Sequence, residues 1–136
     1  MLKSIKTTES NRAVVADLTR KLNMGSENII ARIALAYSLS FDRKLNLNNM
    51  GDSKGKEYSS KVLFGDYQDV YLAMVCQHYA INEMDFNIPR YIKMHIDDGL
   101  ELIWGMIKDN PNLPVFDFIL DQVERGLINL NEVNGP

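Results

Sequence analysis

The sequence predicts a mainly α fold: a small helical domain that opens with an extended arm and a helix-turn-helix and carries a short β or hairpin segment in its middle. Three observations predict it. Apolar residues recur at helical spacing in several separate stretches. Glycine, asparagine, serine and proline fall between those stretches, where helices need to stop and start. Strict alternation is confined to residues 2–8 and 45–48. With 136 residues, 46% of them hydrophobic and 24% charged, residues 1–136 read as one domain with a real core.

The elements follow in order. Leu2, Ser4 and Lys6 alternate with Lys3, Ile5 and Thr7, the pattern of a short strand or arm. Thr8-Glu9-Ser10 supplies cap-type residues, and Val14, Val15, Leu18 and Leu22 make the apolar stripe of a first helix. Asn23-Met24-Gly25 ends it, with Gly25 suited to the left-handed position after the C-cap. Ser26 can cap a second helix over 27–40, whose Ile29, Ile30, Ile33, Leu35, Tyr37 and Leu39 make it apolar nearly all round. Such a helix needs cover on both sides, and a subunit interface would supply it.

Residues 42–65 change character. Leu45 and Leu47 alternate with Asn46 and Asn48, then Asn49–Lys56 is loop-like, so a hairpin or ordered loop is expected. A third helix over 66–81 has Asp66 as its cap and Tyr67, Val70, Tyr71, Met74, Val75 and Ile81 on its inward side. A fourth starts near Pro89, which suits a first helical turn, with Ile92, Ile96, Leu100, Ile103 and Ile107 as its stripe. Pro111 and Pro114 break the chain before a last helix over 115–126, expected to bury Phe116, Ile119, Leu120 and Val123.

Charge is divided along the chain. Residues 1–56 hold ten Lys/Arg against five Asp/Glu, and residues 57–136 hold five against thirteen, so a net charge of −3 conceals a basic front and an acidic rear. A basic surface is the electrostatic footprint of a phosphate-rich partner. The acidic rear argues against indiscriminate coating of nucleic acid and leaves a face for protein partners. No apolar run reaches the roughly 18 residues of a membrane span, and Met1–Lys6 lacks the apolar core of a secretory signal. The single Cys76 cannot form an internal disulfide. These features fit a cytoplasmic protein.

The constellations that could carry chemistry are weak. Met50–Glu57 suggests a phosphate loop, but only three residues separate Gly51 from Gly55, and Glu57 stands where a Walker A loop needs a hydroxyl. The reading kept for this loop is that Lys54 and Lys56 touch DNA phosphates. His95 and Asp98 share a helix face while Asp97 points elsewhere, and two further ligands to complete a metal site with His78 cannot be named. His78 reads as a core or interface histidine, Asp97 and Asp98 as a solvated face, and Cys76 as a buried small hydrophobe without a cation to activate it. Trp104 reads as core. No catalytic residue, metal or cofactor is assigned.

Several segments in a fixed order then become recognisable: the arm–helix–turn–helix opening, Ile30–Leu39, Asp52-Ser53-Lys54-Gly55-Lys56-Glu57-Tyr58, Phe64-Gly65-Asp66-Tyr67 and His95-Ile96-Asp97-Asp98-Gly99. Together they resemble the DndE family of bacterial DNA phosphorothioation (DNA sulfur modification) systems, in which sulfur replaces a non-bridging phosphate oxygen. The resemblance covers residues 1–108, and 111–136 reads as a C-terminal helical extension. It implies a mostly helical homotetramer that binds double-stranded DNA, nicked DNA by preference. It also implies work beside DndC, a sulfurtransferase-like ATP pyrophosphatase with an iron–sulfur cluster, and DndD, an ATPase. DndE itself looks like the DNA-binding subunit, not the sulfur-transfer enzyme. The opening is also similar to a ribbon-helix-helix fold, whose paired arms enter the major groove.

The expected mechanism has Lys3, Lys6, Arg12, Arg20, Lys21, Lys54 and Lys56 on one basic surface, holding DNA by its phosphates. The second helices pack through Ile29, Ile30, Ile33 and Tyr37 to build the oligomer, and the acidic half docks partner subunits. A nick adds a hinge that lowers the cost of bending on a rigid surface. The rivals are a dimeric ribbon-helix-helix transcription regulator and a metal-dependent nicking nuclease built on His95 and Asp98. Arg32 is left between an interface ion pair and a DNA contact.

Overall fold

The computed structural model describes residues 2–109, 117, 119–122 and 124. Its elements are β1 (Ser4–Lys6), α1 (Ser10–Lys21), α2 (Glu27–Leu39), β2 (Glu57–Ser59), α3 (Ser60–Phe64), α4 (Gln68–Tyr79) and α5 (Ile88–Ile107), with 3-10 turns at Leu47–Asn49 and Gly65–Tyr67. The fold is mainly helical, as the periodicity predicts. Among the described residues, no helix is long and apolar enough to cross a membrane.

Helix α2 is the centre of the domain. Ile30, Ala31, Ala34, Leu35, Ala36, Tyr37, Ser38 and Leu39 are all buried, and α1, α3, α4 and α5 pack around it. Most of the cover for this apolar helix comes from its own chain, while Ile29 and Ile33 stay partly exposed. The α5 stripe Ile92, Ile96, Leu100, Ile103 and Ile107 is buried throughout and forms the largest contact of α2. Gly99 makes that crossing possible: a Cβ there would lie 1.9 Å from the Ala34 carbonyl oxygen. The short side chain of Ala34 and the missing one of Gly99 set how closely the two axes approach.

The middle segment differs from the expected hairpin. It contributes one strand, β2, whose antiparallel partner is the N-terminal arm: Ser4 faces Ser59, Ile5 faces Tyr58 and Lys6 faces Glu57. Ile5 and Tyr58 point into the core. The two-stranded ribbon is therefore made within one chain, where a ribbon-helix-helix protein pairs arms from two subunits. β2 runs directly into α3, and Ser59 caps it by accepting from the Val62 amide.

Several boundaries shift. Helix α1 ends at Lys21, so the left-handed residue after its Leu22 C-cap is Asn23 (φ +53°), and Gly25 (φ +83°) follows in the turn. Ser26 occupies the N-cap of α2 with extended backbone, but its side chain makes no capping bond. The third predicted helix is α4, two residues shorter at its start. Asp66 lies in the preceding 3-10 turn and does not cap it. Tyr67 and Val70 are exposed, because only Val75 of α4 is fully buried. Periodicity puts them on one face with Tyr71, Met74, Val75 and Ile81, but among the described residues the cover reaches only those four, which are buried or half-buried. Residues 117, 119–122 and 124 are helical, with Ile119 buried but Leu120 exposed. Phe116 and Val123 of that predicted helix lie outside the described residues.

Replacing Gly99 by Ala is expected to destabilise the domain by about 2–3 kcal/mol through overpacking against Ala34. Gly105→Ala, where a Cβ meets open space on the same helix, is expected to be neutral or to stabilise by up to about 1 kcal/mol. Urea denaturation of both variants checks the contrast.

Candidate nucleic-acid interface

The loop after the Leu47–Asn49 turn is stapled to the start of α1. The Thr7 amide donates to the Lys56 carbonyl (3.0 Å), and the Gly55 amide donates to the Thr7 carbonyl (2.9 Å). The Arg12 guanidinium donates to the carbonyls of Gly55 (2.8 Å) and Lys54 (3.4 Å). Asp52 accepts from the amides of Glu9 (2.9 Å) and Lys54 (3.0 Å), and these two bonds hold its carboxyl below the usual carboxylate range. A Cβ on Gly55 would fall 2.0 Å from the Thr8 carbonyl oxygen, so no larger residue lets the loop lie so close. The loop is thus an ordered strap and not a free turn.

Beneath it sits a buried ion pair. Lys93 Nζ lies 2.8 Å from Asp97 Oδ2 one helical turn away on α5, and both side chains are nearly inaccessible. Lys93 also donates to the Met50 carbonyl (3.0 Å), which fixes the loop's entry. The other Asp97 oxygen accepts from Asn11 Nδ2 (2.8 Å), the Thr8 amide (3.1 Å) and Thr8 Oγ1 (3.3 Å). A carboxylate at the N-terminus of α1 takes up donors that a helix start leaves unpaired. The sequence expectation that Asp97 is solvated is corrected by this arrangement. Its signal was present as the Lys93–Asp97 spacing.

These bonds gather part of the expected basic set. Lys6 on β1, Arg12 on α1, and Lys54 and Lys56 on the strap are brought together from positions far apart in sequence, and Lys3 stands further along the ribbon. Lys61, next to β2, joins this end: the Ser60 amide donates to the Lys3 carbonyl. Composition alone did not single it out. Lys56 is partly committed, 3.3 Å from Glu27 and over the Tyr58 ring. Arg20 pairs with Asp17 (2.7 Å) in an exposed contact, and Lys21 lies over the half-buried Trp104 ring (5.5 Å). Arg12, Ala16 and Arg20 are exposed at four-residue spacing along α1, so the strip continues from the strap down the helix.

Of the residues expected at an oligomer interface, Ile30 and Tyr37 are buried inside the protomer, while Ile29 and Ile33 are half-exposed. Arg32 has a local task. It donates to the carbonyls of Leu63 and Val62 at the C-terminal end of α3, where Asn28 also bonds Val62. Carbonyls at a helix C-terminus attract a cation, and Arg32 there anchors α3 to α2.

His95 belongs to a buried chain of hydrogen bonds. Ser38 Oγ donates to Asp98 (2.6 Å), so His95 Nδ1–H must donate to Ser38 Oγ (2.8 Å). That leaves Nε2 to accept from Tyr79 O–H (2.5 Å), which itself accepts from the Leu45 amide. Arg43 closes the chain on Asp98. Burial, with His78 and Arg43 nearby, pushes the His95 pKa down to about 3. His78 rests edge-on against His95 and donates to the Arg43 carbonyl, and burial lowers its pKa too. Half-buried Cys76 has its thiol pKa raised by burial and by Glu83 and Asp85. No group of three or more His, Cys, Asp or Glu that could hold a metal occurs among the described residues.

Asp97→Asn, which leaves the Lys93 ammonium buried without its counter-charge, is expected to cost about 3 kcal/mol or more in urea unfolding. The double variant Lys93→Met/Asp97→Leu is expected to recover part of that loss. The His95 shift also sets a pH dependence. Its native pKa lies below the unfolded value of about 6.5, so the unfolded chain binds the extra proton. Stability is complete above pH ~6.5 and is lost as pH falls toward 3, by up to about 1.4 kcal/mol per unit from this group. Unfolding curves between pH 7 and 5 should show the loss, with a flatter profile for His95→Asn.

No curated protein matches the chain. The family model described as DNA sulphur modification protein DndE matches residues 4–110. That span runs from the first residue of β1 past the end of α5 and contains the strap, the Lys93–Asp97 pair and the basic strip. The chain therefore belongs to the DndE family of DNA sulphur modification proteins.

Proposed function

We propose that this protein is a non-enzymatic DNA-binding subunit of a bacterial DNA sulfur modification system. In this reading it holds double-stranded DNA, nicked duplex by preference, through its phosphates, as a homotetramer beside DndC and DndD, which carry the sulfur chemistry. The observation that carries the proposal is the strap: backbone bonds and Arg12 hold the 54–56 loop against β1 and α1, so that Lys6, Arg12, Lys54 and Lys56 form one cationic edge. The exposed α1 stripe extends this edge toward Arg20. Phosphate contacts of this kind position a duplex without reading its sequence. A rigid cationic edge also favours a duplex with a hinge, since less bending energy is spent in following it.

Two other readings fit less well. A ribbon-helix-helix regulator needs an arm free to pair with a second subunit, and β1 is already paired with β2. A nuclease using His95 and Asp98 needs ligands or a base that can be reached. Both His95 nitrogens are engaged, and Asp98 is held by Ser38 and Arg43.

Binding to matched intact and nicked duplexes across a salt series tests the proposal. Nicked DNA is expected to bind more tightly, without cleavage in Mg²⁺, and affinity should fall steeply as salt rises. Lys54→Glu/Lys56→Glu is expected to weaken both duplexes about tenfold or more and to reduce the salt slope by roughly 2. Unchanged binding by that variant would remove the strap from the interface.

A further inference from the structure

Helix α4 is apolar on two sides, and the domain uses only one of them. The inner side seats Val75 in the core. Along the outer side run two adjoining hollows of about 610 and 820 Å³, which share Asp69, Leu72 and Glu83 and so form one trough. Its floor is Leu72, Ala73 and Cys76 from α4 and Ala80 at its C-cap. Short side chains in this row leave a groove into which a second helix can settle its ridge. At one end Met84 and Phe86 stand 84% and 78% exposed, the most exposed large hydrophobics among the described residues. Water gains nothing from such residues, and exposed apolar clusters with a polar rim mark binding surfaces.

The rim is of one sign. Asp69, Glu83 and Asp85 border the trough, and none makes an ion pair among the described residues. Arg90, the nearby cation, lies over the Phe86 ring and bonds Asn87. On the floor, burial first and then the charges of Glu83 and Asp85 raise the Cys76 thiol pKa. A second copy docking by the same face would set these carboxylates against themselves, because a two-fold interface pairs a patch with its own image. An occupant carrying Lys or Arg beside an apolar stripe matches both the floor and the rim.

We propose that the trough along α4 and the 82–86 turn is a docking site for a basic amphipathic helix of another protein. The surface is separate from the strap and the α1 strip, so DNA and the protein partner can be held at once.

The test uses the full chain and a fluorescein-labelled peptide of Leu, Ala and Lys in an amphipathic helical pattern, roughly 18 residues long. A second peptide has Glu in place of every Lys. Fluorescence anisotropy should show saturable binding of the basic peptide and about tenfold or weaker binding of the acidic one. Met84→Ser/Phe86→Ser and Glu83→Lys/Asp85→Lys should each weaken the basic peptide about tenfold or more. These side chains lie at the trough's edge, and thermal melts confirm that the variants fold. Equal binding by folded variants, equal binding of both peptides, or no binding of the basic peptide overturns the proposal. So does a wild-type oligomer that Met84→Ser/Phe86→Ser dissociates in sedimentation, which would assign the trough to a second copy. Duplex binding by the wild type is scored separately: its absence counts against the DNA reading and leaves the peptide result standing.

Discussion

The Asp97 carboxylate is the point on which the arrangement of the basic edge depends. It lies on α5, yet it receives the start of α1 through Thr8 and Asn11, and through Lys93 it also holds the Met50 carbonyl. A buried charge is costly unless it is paired and fully hydrogen-bonded, and here both conditions are met. Three separate pieces of chain, α5, the start of α1 and the loop at Met50, are thereby held together at one ion pair. None of these bonds is to Lys6, Arg12, Lys54 or Lys56; they set the geometry from which those side chains project. Such an ion pair adds less to net stability than its bond count suggests, and its value lies in allowing one arrangement of arm, helix and strap.

The α2–α5 crossing is the frame on which this hub is mounted. Gly99 lies two residues beyond Asp97, so the closest approach of the helices and the buried carboxylate are set by the same turn of α5. The Ser38–His95–Tyr79 chain ties the same region of α5 to α2 and α4 from another direction. Polar networks in a core are stabilising only when each member is satisfied, and here each donor has an assigned acceptor. Asp97 and Asp98 are adjacent in sequence and serve different networks, because successive residues on a helix point about 100° apart.

The helices were legible because each buries a stripe that its sequence repeats. The α5 stripe from Ile92 to Ile107 was read residue by residue, and all five positions are core. The partner of β1 was not legible, since a three-residue strand carries too little pattern to specify a mate fifty-odd positions away. Nor was the exposure of Tyr67 and Val70, because periodicity tells which residues share a face but not whether an element covers it. The basic residues were legible as charge, while their grouping was not. That grouping follows from Gly55 and Arg12, whose roles are steric and backbone-directed and leave no mark in composition. Arg32 drew notice as the one cation in an apolar helix. Its target is a pair of carbonyls at a helix end, which no side-chain pairing rule would have found.

The division of charge along the chain becomes a division of surfaces through one topological fact. β1 and the strap meet because β2 returns to the N-terminal arm, which folds the basic front half upon itself. The acidic half then continues through α4 and the 82–86 turn, where Asp69, Glu83 and Asp85 make no ion pair among the described residues. Had α4 instead packed across the strap, its acids would have neutralised the cations and neither surface would have kept a field. Arg43, which does reach from the basic half to the acidic half, is spent on Asp98 close to the framework. What stays exposed is a cationic edge at one end of the chain's path and an anionic, apolar trough at another. Opposite fields on one small domain favour different partners for its two surfaces, since a partner that fits one surface is repelled by the other.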